Sequence, residues 1–594
     1  MVAVIGPRLE WHLPEPLLDP PAFAGFGRPV ATLLARRGFR DDAQLTAFLH
    51  SGEAALHDVS LMADADVALD RLEQALDQGE RIAIWGDYDA DGMTAVVVWS
   101  MALRVLGAEA VRHVPDRLAD GYGLSNAGLD RLAAAGVSVV VTCDCGVVNA
   151  AEVEHARTLG LDVIVTDHHL PAGPLPRAVA VVDPHRPDCT YPDADLTGAG
   201  IAYKLARALL SRRGASAPDL AGVAAIGTIA DLAPMTGESR AIVGLGLAEL
   251  AATQRAGLRA LLARACEVPE RPTARDLGFG LAPRINAAGR IAEAELAISL
   301  MLADDADEAE RIAEELEAVH RTRRAMTSAA VAEALQLAET LHGEGPLALR
   351  NDAWAPGIVG LIAGRLSDRL GRPVAVAGAI GEELRGSVRA PVDFHAAAAL
   401  ESCADLLLKR GGHAGAGGFS VAADGWQAFA DRFGSLPRPF PPEAGVQPQA
   451  ADVVVVDLVL PAAHLGWGLA DEIARLAPFG PGHVEPLLAV TGLRVGAARR
   501  IGPDGKHLAL RMLRGAETFD AVAFGCPPDR PLPEEGSRVD LVGTLERDTF
   551  QDQPRLRVRV EDYATADASP LAARRRDVRP AVVAIPVRSP AATG

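Results

Sequence analysis

Three aspartates alternate with other residues where an apolar run ends, in Ile82-Ala83-Ile84-Trp85-Gly86-Asp87-Tyr88-Asp89-Ala90-Asp91-Gly92. Carboxylates at i, i+2 and i+4 on the tip of a strand repel one another unless a cation sits between them or protons are taken up. Hard divalent cations with oxygen ligands are the usual remedy. An acidic turn that merely caps the helical run Met93 to Leu106 is the alternative. Three further apolar runs end in polar tips. Val137 to Thr142 leads into Cys143-Asp144-Cys145-Gly146, Leu161 to Thr166 into Asp167-His168-His169, and Ala178 to Val182 into Asp183-Pro184-His185. Asp231 stands in the apolar helical run Ala224 to Pro234, where such surroundings predict a buried, paired carboxylate.

The elements that must position these residues follow from the same runs. Strand, polar tip and helix repeat from Arg81 to about Ala233, which reads as a parallel sheet wrapped by helices. In such sheets the ligand site lies at the carboxyl ends of the strands, so tips far apart in sequence point to one place. Residues 305–341 lack proline and glycine and carry apolar residues at helical spacing. At ~1.5 Å per residue they predict a helix of about 50 Å that spaces two α/β units.

A second α/β unit is expected from about 345 to 435. Ala353 to Gly360 opens a helix, and Leu384 to Arg389 is a strand with Arg385, Ser387 and Arg389 on one face. Gly411 to Gly418 reads as a glycine-rich loop around His413. It lacks the Gly-Lys-Ser/Thr ending of a nucleotide P-loop, so an ATPase is excluded. Close approach to a phosphate and simple packing both remain open for it.

After a Pro-rich linker, Leu436 to Pro448, short β-type runs fall at 508–512, 518–524, 538–545 and 555–560. They resemble an OB barrel, a fold that often tracks single strands. Arg555, Arg557 and Arg559 share one face of the last run, with a solvated barrel face as the alternative use. Residues 566–594 are rich in Ala, Arg and Pro and are expected to be disordered.

At 594 residues the chain is too long for one core. With 49% hydrophobic and 23% charged residues it has the composition of a soluble globular protein. No apolar run reaches the ~18–20 residues of a membrane span, and no secretory signal opens the chain. Six scattered cysteines, without a C-x-x-C pair, fit a reducing cytoplasm. A formal net charge of −20 argues against a nonspecific nucleic-acid coat, but not against an enzyme with one basic groove.

Asp87-Tyr88-Asp89-Ala90-Asp91-Gly92, Asp144, Asp167-His168-His169 and Asp231, in this order and spacing, resemble the four motifs of the DHH phosphoesterase superfamily. Pro283-Arg284-Ile285-Asn286-Ala287-Ala288-Gly289-Arg290 and Gly411-Gly412-His413-Ala414 extend the likeness to the RecJ exonuclease family, over about residues 60–565. Ala355 and Ala390 depart from the family, which tends to carry His and Ser there.

The resemblance implies two α/β domains, DHH and DHH-associated, joined by a long helix around a cleft, with a C-terminal OB-like β-barrel. The expected boundaries are a helical segment 1–58, a catalytic domain 59–304, a connecting helix 305–341, a DHH-associated domain 342–440, an OB domain 449–565 and a tail 566–594. It implies a single-strand-specific 5′-to-3′ DNA exonuclease of recombination and repair, using two Mn²⁺ or Mg²⁺ ions. Asp87, Asp89 and Asp144 would hold one ion. Asp91, Asp144, His168 and Asp231 would hold the other, about 3.5–4 Å away. His169 would face a phosphate or a ligand, and Asp167 would orient an imidazole. Arg117, Arg290, Ser387 and Arg389 would recognise a terminal phosphate, with Arg385, His413 and Asn286 supporting them. Expected partners are single-stranded DNA, a helicase and a single-strand-binding protein, for a monomeric chain. The competing readings are a DHH enzyme of short oligonucleotides or cyclic dinucleotides, and a scaffold that binds nucleic acid without cutting it.

Overall fold

The structure is a computed structural model that describes residues 4–572, apart from 51, 118–120, 342, 344, 442–452, 503–504, 516 and 549–554. The chain divides into two compact units. One comprises Thr46–Ala451 and Pro478–Val484; the other comprises Met1–Leu45, Asp452–Ala477 and Glu485–Gly594.

The larger unit holds a five-stranded, all-parallel sheet. Its order across the sheet is Val111–His113, Arg81–Trp85, Val137–Thr142, Asp162–Thr166, Ala180–Val182. The strands are β-branched and buried on both faces, as a parallel sheet between helices requires. Alternation sorts their side chains into two cores. Ile82, Ile84, Val139, Val141 and Ile164 pack with the helices Ala90–Val105, Gly198–Arg212 and Leu220–Ala230. Ala83, Trp85, Val140, Val163 and Val165 pack on the other side with Asn126–Ala134 and Ala150–Thr158. Each such buried Val, Leu or Ile contributes roughly 1.5–3 kcal/mol. The helix Ala90–Val105 is buried from Ala90 to Leu103, so its start, where the aspartates lie, is fixed from every side.

The helix Ala306–Thr340 has 35 residues, close to the expected span, and is capped by Asp305, which accepts from Glu308 N. It leads into a second sheet, ordered Lys409–Gly412, Ala416–Ala422, Glu383–Arg389, Val374–Ile380, Leu347–Arg350. Leu384 and Val388 point into the core there, and Arg385, Ser387 and Arg389 lie on the opposite face. The glycine-rich stretch expected to be a loop is instead an antiparallel hairpin, with Gly411 opposite Gly418 and Gly412 opposite Gly417. Glycines without side chains still satisfy their backbone groups in a ladder, which composition alone does not reveal.

In the smaller unit, five strands close a barrel: Leu488–Ile501, His507–Arg514, Glu517–Ala523, Arg555–Thr565 and Arg538–Asp548. The first and last of these pair antiparallel, which closes the ring. Two expectations change here. Residues 4–45 do not belong with 46–58 as one helical segment. Glu10–His12 is a strand paired with Val453–Val455, and Trp11 Nε1 donates to Asp562 Oδ2 at 2.8 Å in the barrel's last strand. The disorder expected from 566 onward does not hold for 566–572. Ala566, Ser569 and Leu571 are buried, Leu571 completely, while 573–594 lie outside the described residues. An apolar anchor six residues beyond the last barrel strand is too short a signal to stand out in an Ala-rich stretch.

Candidate active site

The chain reverses direction across the sheet at Arg81–Trp85, which lies between Val111–His113 on one side and Val137–Thr142 on the other. A crevice opens at the carboxyl ends of strands at such a switch point. Asp87 to Asp91 follow one of these strands, Asp144 follows the next, and Asp167 to His169 follow the third.

Three overlapping groups of donor atoms result, each within 4.8 Å: Asp87, Asp89 and Asp144; Asp91, His168 and Asp231; Asp144, His168 and His169. His168 Nε2 lies 2.9 Å from Asp144 Oδ1 and 3.8 Å from both Asp91 Oδ2 and Asp231 Oδ2. His169 Nδ1 lies 2.8 Å from Asp167 Oδ1 and 3.9 Å from Asp144 Oδ1. One expectation is corrected. Asp231 is paired with His168 but not buried, since 39% of its side chain is exposed at the end of the helix Leu220–Ala230. The apolar run buries that helix, not the residue that ends it.

The electrostatics are those of carboxylates crowded and desolvated against one another. Burial, then Asp89, pushes Asp87 well above the usual carboxylate range. Burial and Asp231 do the same to Asp91, and burial and Asp91 to Asp144. Partial desolvation by the protein around its half-exposed carboxylate, then Asp89, raises Asp231 to about 7. His168 is pushed down to about 4 by burial and by the neighbouring His169, so it presents a neutral imidazole. For His169 burial is overcome by the hydrogen bond to Asp167, which raises it to about 9.

Among the described residues, Asp87 Oδ1 is buried without a hydrogen-bond partner. An orphaned carboxylate oxygen beside two other acids is what a divalent ion would satisfy. The donor set, mostly carboxylate oxygen with imidazole, fits Mn²⁺ or Mg²⁺, and the imidazole leans it toward Mn²⁺.

The fold supports these groups with backbone donors. Asp89 caps its helix through Asp91 N at 3.0 Å and Gly92 N at 3.1 Å. Asp91 accepts from Gly198 N at 2.7 Å and Ala199 N at 3.0 Å, at the start of the helix Gly198–Arg212. A Cβ at Gly198 would sit 2.5 Å from Asp144 Cβ, so a side chain there would displace the acid. Asp167, fully buried, accepts from Val147 N, His168 N, His169 N and His169 Nδ1. Burial opposes its ionisation, but these bonds, His169 foremost, hold it below the usual carboxylate range.

Sequence reasoning missed Tyr122. Its hydroxyl donates to Asp144 O at 3.1 Å and lies 3.1 Å from His169 Nδ1. Glycines at positive φ on either side of it, Gly121 and Gly123, were the available signal. The start of the helix at Gly198 was also legible, as Thr197 followed by small residues.

Opposite the acids lies an arginine cluster. Arg117 stacks over the Tyr88 ring at 3.8 Å, and its Nε is buried without a hydrogen-bond partner among the described residues. Arg290 donates to Gly357 O at 3.2 Å; burial, then Arg117, lowers it to about 9. Arg389 donates to Ser387 Oγ at 2.6 Å and is lowered by burial and by Arg117. His413 is lowered by burial, then by Arg389, and it also senses His169. Arg385 and Asn286 make structural contacts instead. Arg385 Nη1 donates to Arg117 O at 2.8 Å, and Asn286 Oδ1 accepts Ala90 N at 3.0 Å at the start of the aspartate helix. The segment 118–120 beside Arg117 lies outside the described residues.

Three family models match: the DHH family N-terminal domain at 81–228, the DHHA1 domain at 340–436 and the RecJ OB domain at 456–562. The chain is 34% identical to the single-stranded-DNA-specific exonuclease RecJ of Bacillus subtilis over 91% of its own length and 68% of that protein. It is 35% identical to the exonuclease of the same name from Salmonella typhimurium over 84% of its length and 89% of the relative. Its structure is similar to the crystal structure of RecJ from Thermus thermophilus in complex with Mn²⁺, with a TM-score of 0.77 and 32% identity over 94% of this chain and 79% of that one. The Mg²⁺ complex of the Thermus protein gives a TM-score of 0.72 and 30% identity over 95% and 79%.

Proposed function

The chain belongs to the RecJ family of DHH phosphoesterases, and from that premise we infer that it is a metal-dependent, single-stranded-DNA-specific exonuclease of recombination and repair. It hydrolyses phosphodiester bonds from the 5′ end and releases mononucleotides. The observation that carries this reading is the shared edge: three donor groups meeting on Asp144 and His168, faced by Arg117, Arg290 and Arg389.

Asp87, Asp89 and Asp144 would hold one divalent ion, and Asp91, Asp144, His168 and Asp231 the other. When bound, such a pair supplies Lewis acidity toward the scissile phosphate and a more acidic water. The neutral His168 offers a lone pair at Nε2, fixed between Asp91, Asp144 and Asp231. His169, kept protonated by Asp167, presents positive charge toward a phosphate. Arg117, Arg290 and Arg389, with Ser387 and His413, would take the terminal phosphate, whose extra charge distinguishes an end from an internal linkage. Water adds to phosphorus and the P–O3′ bond breaks, so the shortened strand again ends in a 5′-phosphate for the same arginines.

No helix among the described residues is long and apolar enough to cross a membrane. All six cysteines are free, which supports a reducing cytoplasm as the working compartment. A monomer that works with a helicase and a single-strand-binding protein completes the proposal.

The test is a long single strand labelled at either end and incubated with Mn²⁺. Mononucleotides leaving from the 5′ side support the reading. Turnover of dinucleotides alone, or tight binding without product, overturns it.

A further inference from the structure

The proposed metal ligands are not held alike. Asp87, Asp91 and Asp144 are buried in the sheet-and-helix core. Asp231 sits at the end of the helix Leu220–Ala230, on a turn that enters solvent. The next residue, Leu232, adopts φ +60° and is 70% exposed. A leucine in the left-handed region is strained and persists where the surroundings over-determine it. Its own side chain contributes little to holding it there. The helix end contributes two bonds, Leu232 N to Ile229 O and Ala233 N to Thr228 O, both at 3.2 Å.

The far side of this turn is held by residues 478–484, which belong to the catalytic unit although the chain before and after them does not. Met235 N donates to Pro481 O at 2.7 Å. Met235 is fully buried, and a Cβ on Gly480 would sit 2.5 Å from its Cγ. Gly482 approaches Pro234 as closely as a side chain would allow, with 3.4 Å from its Cβ position to Pro234 Cβ. Gly480 and His483 exchange backbone hydrogen bonds of 3.0 and 3.1 Å, which close the loop on itself. His483 packs edge-on against Phe48 at 4.8 Å and stacks on Phe479 at 5.2 Å. Arg240, early in the following helix Gly237–Ala252, lies over Phe48 at 3.9 Å and donates to Pro478 O at 2.7 Å. The turn and the first part of that helix are thus gripped along the loop.

We propose that the loop Pro478–Val484 is a positioning clamp for Asp231, fixing the turn that presents its carboxylate to the ion site shared with Asp91 and His168. The inference rests on the reading of Asp231 as a ligand. Nothing in the loop touches the reacting atoms; its residues act through the backbone of 232–235.

The test is Gly480→Val in the full chain, with Gly480→Ala as the milder variant should the larger one fail to fold. Mn²⁺ alone is titrated into the metal-free protein and followed by the EPR signal of free Mn²⁺, beside thermal melting and steady-state kinetics. Wild type binds two ions. Gly480→Val weakens one of them about tenfold or more and spares the other, as loss of an outer support does. Asp231→Asn weakens the same ion, and adding Gly480→Val to it has little further effect, the mark of one shared pathway. Activity lost at low Mn²⁺ returns at saturating Mn²⁺ with KM for the strand unchanged. Unchanged Mn²⁺ affinities with a lowered melting temperature, or equal weakening of both ions, would overturn the clamp and leave a structural plug. The underlying reading fails separately: wild type binds Mn²⁺ but cuts no strand, or Asp231→Asn leaves both ions untouched.

Discussion

Two concentrations of like charge in this molecule are treated in opposite ways. At the sheet edge, Asp87, Asp91 and Asp144 are buried against one another, and Asp87 Oδ1 is left without a hydrogen-bond partner among the described residues. On the barrel strand Arg555–Thr565, each arginine of the outward face meets an acid. Arg555 faces Asp520 at 3.8 Å, Arg557 faces Glu546 at 3.3 Å, and Arg559 faces Glu546 at 3.2 Å and Glu485 at 3.3 Å. The cleft arginines side with the acids: the contacts of Arg117, Arg290 and Arg389 are to a tyrosine ring, carbonyls and a hydroxyl. Buried charge that its neighbours offset only in part marks where a ligand completes the structure. Compensated charge marks a surface that is already complete.

Breaking the acid side of this contrast has the largest expected effect. Asp144→Ala, which removes an oxygen shared between both proposed ion sites, should lower mononucleotide release by about 10³-fold or more while largely sparing single-strand binding, read by single-turnover cleavage and a filter-binding assay. Next comes the cleft. Arg389→Ala should cost about 10–100-fold on strands with a 5′-phosphate and much less on strands with a 5′-hydroxyl, the difference expected for one charge-assisted phosphate contact. Equal losses on both would make Arg389 a structural residue.

Removing divalent ions tests the same contrast through stability. An acid whose folded pKa is raised binds more protons folded than unfolded, so stability falls as pH climbs toward that folded pKa. Asp87, Asp91 and Asp144 are raised, Asp231 titrates near about 7, and His169, raised to about 9, loses its bond-strengthening proton in the same direction. His168, lowered to about 4, acts oppositely but below its ordinary value of 6.5. Between about pH 6.5 and 9, the EDTA-treated protein should therefore melt at progressively lower temperature, and Mn²⁺ should flatten that slope.

The smallest effect belongs to the barrel. Arg557→Ala should change single-strand affinity by less than about threefold, because a partly exposed ion pair is worth roughly 0–1 kcal/mol. The salt dependence of binding should also keep its slope, whereas loss of a true phosphate contact lowers it by about one.

The sequence made the catalytic edge legible because carboxylates on successive strand tips have few other uses. That Val137 to Thr142 forms a strand was readable from its apolar, β-branched run, but which of Val139, Val140 and Val141 faces which core was not. Asp231 was harder: an apolar helix is recognisable, but whether its last residue faces the core or the solvent depends on the turn that follows. The arginine stripe at 555–559 shows the other limit. Spacing reveals that three arginines share a face, while their neutralising partners, Asp520, Glu546 and Glu485, come from separate stretches of chain. The glycines around Tyr122 and the cap at Thr197 mark local turns, but that Tyr122 and the amides of Gly198 and Ala199 reach the acids is set by tertiary contact.

The most direct measurement is anomalous diffraction at the manganese edge from crystals soaked in Mn²⁺. Two peaks are expected about 3.5–4 Å apart, with Asp144 touching both, Asp87 and Asp89 on one side, and Asp91, His168 and Asp231 on the other. A crater without peaks, or a single ion that leaves Asp87 Oδ1 unliganded, would contradict that arrangement.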